Sequence, residues 1–375
     1  MKPIQLTIDG KEVAARNGQT VLDAALSAGI YIPHLCHHPD LKPVGSCRLC
    51  IVDIEGREGL PASCQTPAEA AMVVQTRSER IDRMRRLAME LLLADHPAEC
   101  TACSQYLNCE LQSVKQYIGI SEELGVRRRI KPIAACTGNP LFSHDFTRCI
   151  RCGRCVRACN ELRGIKVLSF IGRGQDLKVG TAFDRPLAEA GCRFCGACVA
   201  VCPTGAIRDH EELVKGKKRR EALIPCQYNC PAKIDVPRYV RLVAEKKYAE
   251  ATAVIREKVP FPKVLGYVCN HQCESACRRG QLNAPISIRD IKRFAAENDT
   301  QRLWERHARI KSDTGMRVAV VGSGPAGLTA AFYLRKAGHS VTVFEAMPEA
   351  GGMMRYGMPA YRLPREILDE EIEEI

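Results

Sequence analysis

The chain is short of aromatic residues: Phe, Trp and Tyr make up 5% of 375 residues, with a single tryptophan. That is too few for the stacking platform on which single-stranded nucleic acid is laid. Long apolar runs are also missing, and no stretch approaches the roughly 18 residues that a membrane span needs. The opening residues, MKPIQLTIDGKEV, alternate like a strand and hold no apolar segment of signal-peptide length. A reducing cytoplasm is the expected compartment. There, clustered cysteines bind metals or do redox work instead of forming disulfides. Cysteine is what the chain has in excess, with 21 residues.

The formal charge of +12 could point to nucleic acid. The positive residues are scattered, however, and many sit beside cysteines, as in RCIRCGRCVRAC. Iron–sulfur clusters on four thiolates are net anionic, and nearby arginines offset that charge. The balance is read as cluster compensation and as a docking surface for acidic redox partners. No nucleic-acid partner is expected. A zinc-rich nucleic-acid binder is the contrasting class, colourless where an iron–sulfur protein is brown.

Residues 1–75 read as a β-rich unit, with a hairpin around Asp9-Gly10 and a helix in QTVLDAALSAG ending at Gly29. Residues 77–94 read as an amphipathic helix. Its stripe of Ile81, Met84, Leu87, Ala88, Leu91 and Leu92 is expected to face the core. Residues 76–118 then form a cysteine-bearing segment, and 119–210 a unit with two cysteine runs. Residues 211–221 read as a charged, exposed linker. Residues 222–314 look helical, and 315–375 turn to strand, glycine turn, helix and strand. The expected fold class is multidomain α+β.

The strongest signal is CIRCGRCVRACN followed by CRFCGACVAVCPTGA, each C-x2-C-x2-C-x3-C. This is the spacing of two-cluster bacterial ferredoxins, in which the fourth cysteine of each run ligates the other cluster. Cys149, Cys152 and Cys155 should therefore pair with Cys202, and Cys192, Cys195 and Cys198 with Cys159. A second constellation, Cys36, Cys47, Cys50 and Cys64, has the spacing C-x10-C-x2-C-x13-C. Spacing alone leaves it open to a two-iron cluster or to zinc.

YIPHLCHHPDLKPVGSCRLCIVDIEG, then HPAECTACSQYLNCELQ, then the two ferredoxin runs stand in this order over about residues 1–210. The order resembles the iron–sulfur large subunit of respiratory complex I and the N-terminal part of multimeric iron-only hydrogenases and NAD-linked formate dehydrogenases. The resemblance implies a β-grasp domain with one [2Fe-2S] cluster on Cys36, Cys47, Cys50 and Cys64. It implies a [4Fe-4S] cluster on His96, Cys100, Cys103 and Cys109. Further on, IPCQYNCPAKIDVP and GYVCNHQCESACRRG could hold zinc on spacing alone. They resemble the helical iron–sulfur domain of the glutamate synthase small subunit, without the leading cysteine pair of that family. The resemblance implies one cluster on Cys230, Cys269, Cys273 and Cys277, making four [4Fe-4S] clusters in all. Cys136 and Cys226 are expected to be buried thiols outside the clusters.

MRVAVVGSGPAGLTAAFYLRKAGHSVTVFE is a βαβ fingerprint. Gly322, Gly324, Pro325, Ala326 and Gly327 turn into a helix whose N-terminus favours a pyrophosphate. Glu345 ends the second strand, placed to accept from a ribose hydroxyl. Spacing does not separate FAD from NAD. The tail EAGGMMRYGMPAYRLPREIL, with Gly351, Gly352 and Arg355, resembles the flavin-binding stretch of the same glutamate synthase family and implies FAD. The chain stops one βαβ unit into such a domain and is expected to continue, with NADP(H) bound in the missing part.

Together the resemblances imply a multi-cluster electron-transfer subunit of a flavin-based NAD(P)H oxidoreductase, closest to an electron-bifurcating NADH/ferredoxin:NADP transhydrogenase. The alternative is the NADPH-diaphorase subunit of a formate dehydrogenase or iron-only hydrogenase complex. The implied partners, in a hetero-oligomer, are a flavoprotein NADH-dehydrogenase-like subunit, a thioredoxin-like two-iron subunit and ferredoxin.

Overall fold

The computed structural model describes residues 3–103, 105–120, 139–210, 214–307 and 310–375. Cys136 lies outside them. The chain divides into two compact units, Met1–Lys217 and Lys218–Ile375. Among the described residues no helix is long and apolar enough to cross a membrane.

The first unit starts with β1 (Ile4–Ile8) and β2 (Lys11–Ala15), an antiparallel hairpin. Its turn places Asp9 and Gly10 at φ 49° and 76°, the left-handed pair that two-residue hairpins require. Helix α1 (Val21–Ser27) begins at Thr20, which forms a capping box with Asp23. Strands β3 (Asp53–Ile54) and β4 (Val73–Gln75) complete a sheet ordered β2-β1-β4-β3. Leu6, Ile8, Val21, Leu22, Val52 and Val74 form its core, and Cys50 and Cys64 lie within it.

Helix α2 (Glu79–Ala94) follows, and its buried face matches the expected stripe only in part: Ile81 is buried and Ala88 and Leu92 pack against the core. Met84, Leu87 and Leu91 are exposed, and Ile81, Arg85, Met89 and Leu93 point inward. The reason is Arg85. Its guanidinium donates to the carbonyls of Leu49 (2.9 Å) and Ile51 (2.8 Å), beside Cys50. Buried carbonyls need donors, and satisfying them turns the helix by about one position.

Helix α3 (Glu110–Ile118) starts at Cys109. Strand β5 (Phe142–His144), helix α4 (Arg154–Arg157), hairpin β6 (Ser169–Ile171)–β7 (Lys178–Gly180), helix α5 (Ala197–Val201) and strand β8 (Ile207–Asp209) make up the two-run segment. The two runs have one backbone design. Arg151 and Phe194 both lie at φ 54°, and Gly153 and Gly196 at φ 70° and 69°, capping α4 and α5.

In the second unit, α6 (Arg219–Leu223) takes up the end of the expected linker. It leads into α7 (Pro225–Asn229), α8 (Val236–Ala244), α9 (Tyr248–Arg256), α10 (Pro262–Val268), α11 (Gln272–Ser275), α12 (Ile288–Glu297) and α13 (Leu303–His307). Tyr239, Val254, Ile255 and Ala295 anchor this helical core. Strand β9 (Arg317–Val321), helix α14 (Pro325–Lys336) and strand β10 (Ser340–Phe344) form a parallel βαβ unit. Helices α15 (Met353–Tyr356) and α16 (Arg365–Glu373) close the chain. Val321 and Phe344 are exposed, on strands of a kind normally covered on both faces.

Candidate metal centres and nucleotide site

None of the described cysteines forms a disulfide. Among the described residues no three His, Cys, Asp or Glu side chains converge closely enough to hold a single ion. The thiols gather instead in sets, with backbone amides turned toward their sulfurs.

His96, Cys100, Cys103 and Cys109 line one cavity of about 140 Å³, together with Arg148 and Gly205. A space of that size holds a group of several heavy atoms. His96 follows the end of α2 and is largely shielded from water. Its Nδ1 lies 3.0 Å from the Pro97 carbonyl. A carbonyl only accepts, so Nδ1 carries the proton and Nε2 keeps its lone pair. Nε2 is buried and has no hydrogen-bond partner. Burial lowers the His96 pKa below the usual histidine value, with Arg148 adding to the effect. A neutral imidazole with a bare lone pair in a thiol-lined cavity is a ligand's arrangement. Burial also pushes the Cys109 thiol up.

Gly205 is why Cys103 reaches this cavity. A Cβ at residue 205 would lie 2.5 Å from Cys103 Sγ. We expect Gly205→Ala to displace that sulfur and empty this one centre without altering any ligand, at a cost of about 1–3 kcal/mol. Iron content and the spectroscopic signal of the site, measured with the other signals as internal controls, check this.

Strand pairing bears on the crossed pairing expected of the two ferredoxin runs. β5 and β8 pair antiparallel, Phe142 opposite Asp209 and His144 opposite Ile207. Thr204 Oγ1 donates to the Arg148 carbonyl at 2.9 Å. This brings Cys202 beside Cys149 and Cys155, whose thiols its charge pushes up, burial being the larger cause for each. Cys152, also buried in this set, rises to about 12. Cys198 is raised by burial and then by Cys195, Cys192 and Cys159. Sets of buried and half-buried thiols that oppose one another's ionisation favour a cationic iron core over protons. The Phe194 amide donates to Cys192 Sγ at 3.4 Å, which its left-handed backbone allows.

Cys36 and Cys47 are held sulfur to sulfur, as are Cys50 and Cys64. The shared hydrogen bonds pull the accepting Cys36 and Cys50 down, to about 4 and about 7, and push the donors Cys47 and Cys64 up. All four are buried.

In the helical domain, Cys273 is raised to about 12 by burial, then by Cys230 and Cys269, with Cys226 contributing. Cys277 is half-buried and opens the next turn. Cys226 is buried in the same core as Cys230 and Cys273, so it stands beside this set. Lys292, 5% exposed, is a neighbour that the sequence did not single out. Its pKa is lowered by burial, against the pull of Cys269, Cys273 and Cys230.

Five family descriptions match successive parts of the chain. Residues 1–79 match a 2Fe-2S iron-sulfur cluster binding domain, and 85–123 the NADH-ubiquinone oxidoreductase-G iron-sulfur binding region. Residues 139–208 match the ferredoxin-like domain of NADH-quinone oxidoreductase subunit 3. Residues 220–304 match domain II of dihydropyrimidine dehydrogenase, with a 4Fe-4S cluster, and 320–364 an NAD(P)-binding Rossmann-like domain. The chain is an iron–sulfur protein related to the cluster-bearing subunit of NADH-quinone oxidoreductase.

Three curated relatives share 38–41% identity with this iron–sulfur protein. The NADP-reducing hydrogenase subunit HndD of Solidesulfovibrio fructosivorans is 41% identical over 225 residues, 57% of this chain and 37% of that protein. The NADPH-Fe(3+) oxidoreductase subunit alpha of Geobacter sulfurreducens is 38% identical over 208 residues, 54% of this chain and 24% of that protein. The NADP(+)-dependent formate dehydrogenase subunit beta of Moorella thermoacetica is 41% identical over 172 residues, 40% of this chain and 24% of that protein. The chain thus spans well under half the length of each.

At the Rossmann-like start of the iron–sulfur protein, Gly322 has φ 94°. A Cβ on Gly327 would meet the Gly322 oxygen at 1.9 Å, so the turn admits only glycine there. Gly352 packs on Gly324, where a Cβ would lie 2.7 Å from the Gly324 Cα. Glu345 accepts from the Ser323 amide at 2.8 Å and from the Ser323 hydroxyl, as well as from the amides of Ala346 and Met347. The Ser323 hydroxyl and these amides hold its carboxyl at about 2. It is ionised and already at the mouth of the glycine loop. Arg355 is engaged by Asp369, Glu349 and the Ala350 carbonyl, which makes it a brace for the tail.

Proposed function

We propose that this chain relays electrons within a hetero-oligomeric NAD(P)H oxidoreductase of the cytoplasm. Its stations are a two-iron site at Cys36, Cys47, Cys50 and Cys64 and four-iron sites on the His96, Cys149, Cys192 and Cys230 sets. The Cys149 set is Cys149, Cys152, Cys155 and Cys202, and the Cys192 set is Cys192, Cys195, Cys198 and Cys159. The last set, Cys230, Cys269, Cys273 and Cys277, leads toward an FAD-binding domain that opens at Gly322. When bound, the clusters carry single electrons and a flavin converts electron pairs into hydride.

The chain's own residues hold and insulate these stations. Buried and half-buried thiols hold each set, and His96 supplies a neutral ligand in place of a fourth thiolate. Arg148, Arg151, Arg154 and Arg157 offset anionic charge. Gly351 and Gly352 close over the glycine loop, where a pyrophosphate meets the α14 N-terminus.

Above all, the reading rests on the partnerless Nε2 of His96 in a cavity with three cysteines. The finer proposal is a transhydrogenase that splits electron pairs among NADH, ferredoxin and NADP, with a flavoprotein and a thioredoxin-like two-iron subunit as partners. A diaphorase subunit of a formate dehydrogenase or hydrogenase complex is the second reading, favoured by the names of two relatives.

Anaerobic purification of the full chain tests the relay. A brown protein with iron and sulfide and a visible band bleached by dithionite are expected. Colourless protein with stoichiometric zinc would overturn it. Co-purifying chains separate the two finer readings, because a formate dehydrogenase or hydrogenase brings a catalytic metal subunit and a transhydrogenase does not.

A further inference from the structure

Two arginines on α4 reach out of the two-run segment to the other iron–sulfur modules. Arg154 and Arg157 stand one turn apart, on either side of Cys155, and are 2% and 8% exposed. Arg154 makes a bidentate pair with Glu110, both contacts at 2.8 Å. Arg157 donates to the carbonyls of Cys36 and Lys42, the latter at 2.5 Å. The Lys42 amide in turn donates to Glu161 at 2.8 Å, locking the Cys36 loop to the segment that carries Cys159.

Arg154 lies within electrostatic reach of both Cys152 and Cys36. Its Nε, like that of Arg157, is buried without a hydrogen-bond partner. Glu110 is half in water, with its side chain 51% exposed, so its charge is screened while the guanidinium faces the dry interior. A guanidinium does not shed its proton on burial, as a lysine can. A permanent cation therefore lies in the interior within electrostatic reach of both Cys36 and Cys152.

We propose that Arg154, positioned by Glu110, is a shared counter-cation of the two-iron site at Cys36, Cys47, Cys50 and Cys64 and the four-iron site at Cys149, Cys152, Cys155 and Cys202. Arg157 fixes the spacing between the two. The inference rests on the relay reading above. Exchange between these sites moves one electron from one to the other, with no bond made and no proton transferred. The reduced form of each site is more negative by one charge. A fixed cation within reach of both favours both reduced forms and keeps the two potentials moving together.

The test is an EPR-monitored redox titration of the full chain, wild type against Arg154→Gln. Both midpoints should fall, with the reduced-to-oxidised ratio at fixed potential dropping about tenfold, or about 59 mV for a one-electron couple. The His96 and Cys192 sites should hold their values. A shift at one site only, at neither or at all sites alike would overturn the proposal. If Arg154→Gln fails to load iron, Glu110→Gln reports with the opposite sign. It frees Arg154 from its carboxylate, and both midpoints should rise; unchanged midpoints would overturn the shared role. A wild-type chain without two-iron and four-iron signals would instead sink the relay reading.

Discussion

Replacing His96 by cysteine is expected to keep a cluster in the His96 cavity and to lower its potential by roughly 100 mV or more. The figure scales from two-histidine two-iron centres, which lie at least about 250 mV above their all-cysteine counterparts. The sign follows from charge. With Nδ1–H spent on the Pro97 carbonyl, His96 offers a neutral donor. A thiolate adds one negative charge in a buried place, which disfavours the reduced form. A cysteine is shorter than a histidine, but the irregular turn between α2 and Cys100 can supply the reach. His96→Ala is the companion, expected to lose the signal of this site alone. A cysteine variant with an unchanged potential would make His96 a bystander.

The second large effect is expected at Cys202. Cys202→Ser should remove about four iron atoms, from the site whose other ligands lie about fifty residues earlier, at Cys149, Cys152 and Cys155. The nearer set at Cys192, Cys195 and Cys198 should survive, because Cys159 completes it. The β5–β8 ladder and the Thr204–Arg148 contact bring Cys202 beside Cys149 and Cys155. Cys159→Ser should show the mirror pattern. Iron analysis with EPR of the two variants decides, and loss of the Cys192 site in Cys202→Ser would refute the crossed assignment.

Much of the fold was legible. The Asp9-Gly10 hairpin, helix α1 and the βαβ unit at Gly322 follow from local turn chemistry and period, which act over a few residues. Periodicity also places helix α2, yet half of the stripe it assigns to the core faces outward. It counts Arg85 as polar and outward. In the structure Arg85 is the donor that two buried carbonyls require, and Met84, Leu87 and Leu91 turn outward instead.

The candidate centres divide the same way. Cysteine spacing offered the thiols of the two ferredoxin runs as candidates because close ligands come from adjacent turns of chain, and the left-handed residues at 151 and 194 repeat in both runs. Spacing carries no sign of Gly205 against Cys103, of Lys292 near Cys269 or of Arg154 within electrostatic reach of Cys36 and Cys152. By itself the sequence marked which side chains are candidates to bind iron and a nucleotide, since ligand chemistry is written in residue type and short intervals. Only the tertiary structure decided which charges and which missing side chains surround them, because packing brings together residues that are far apart along the chain.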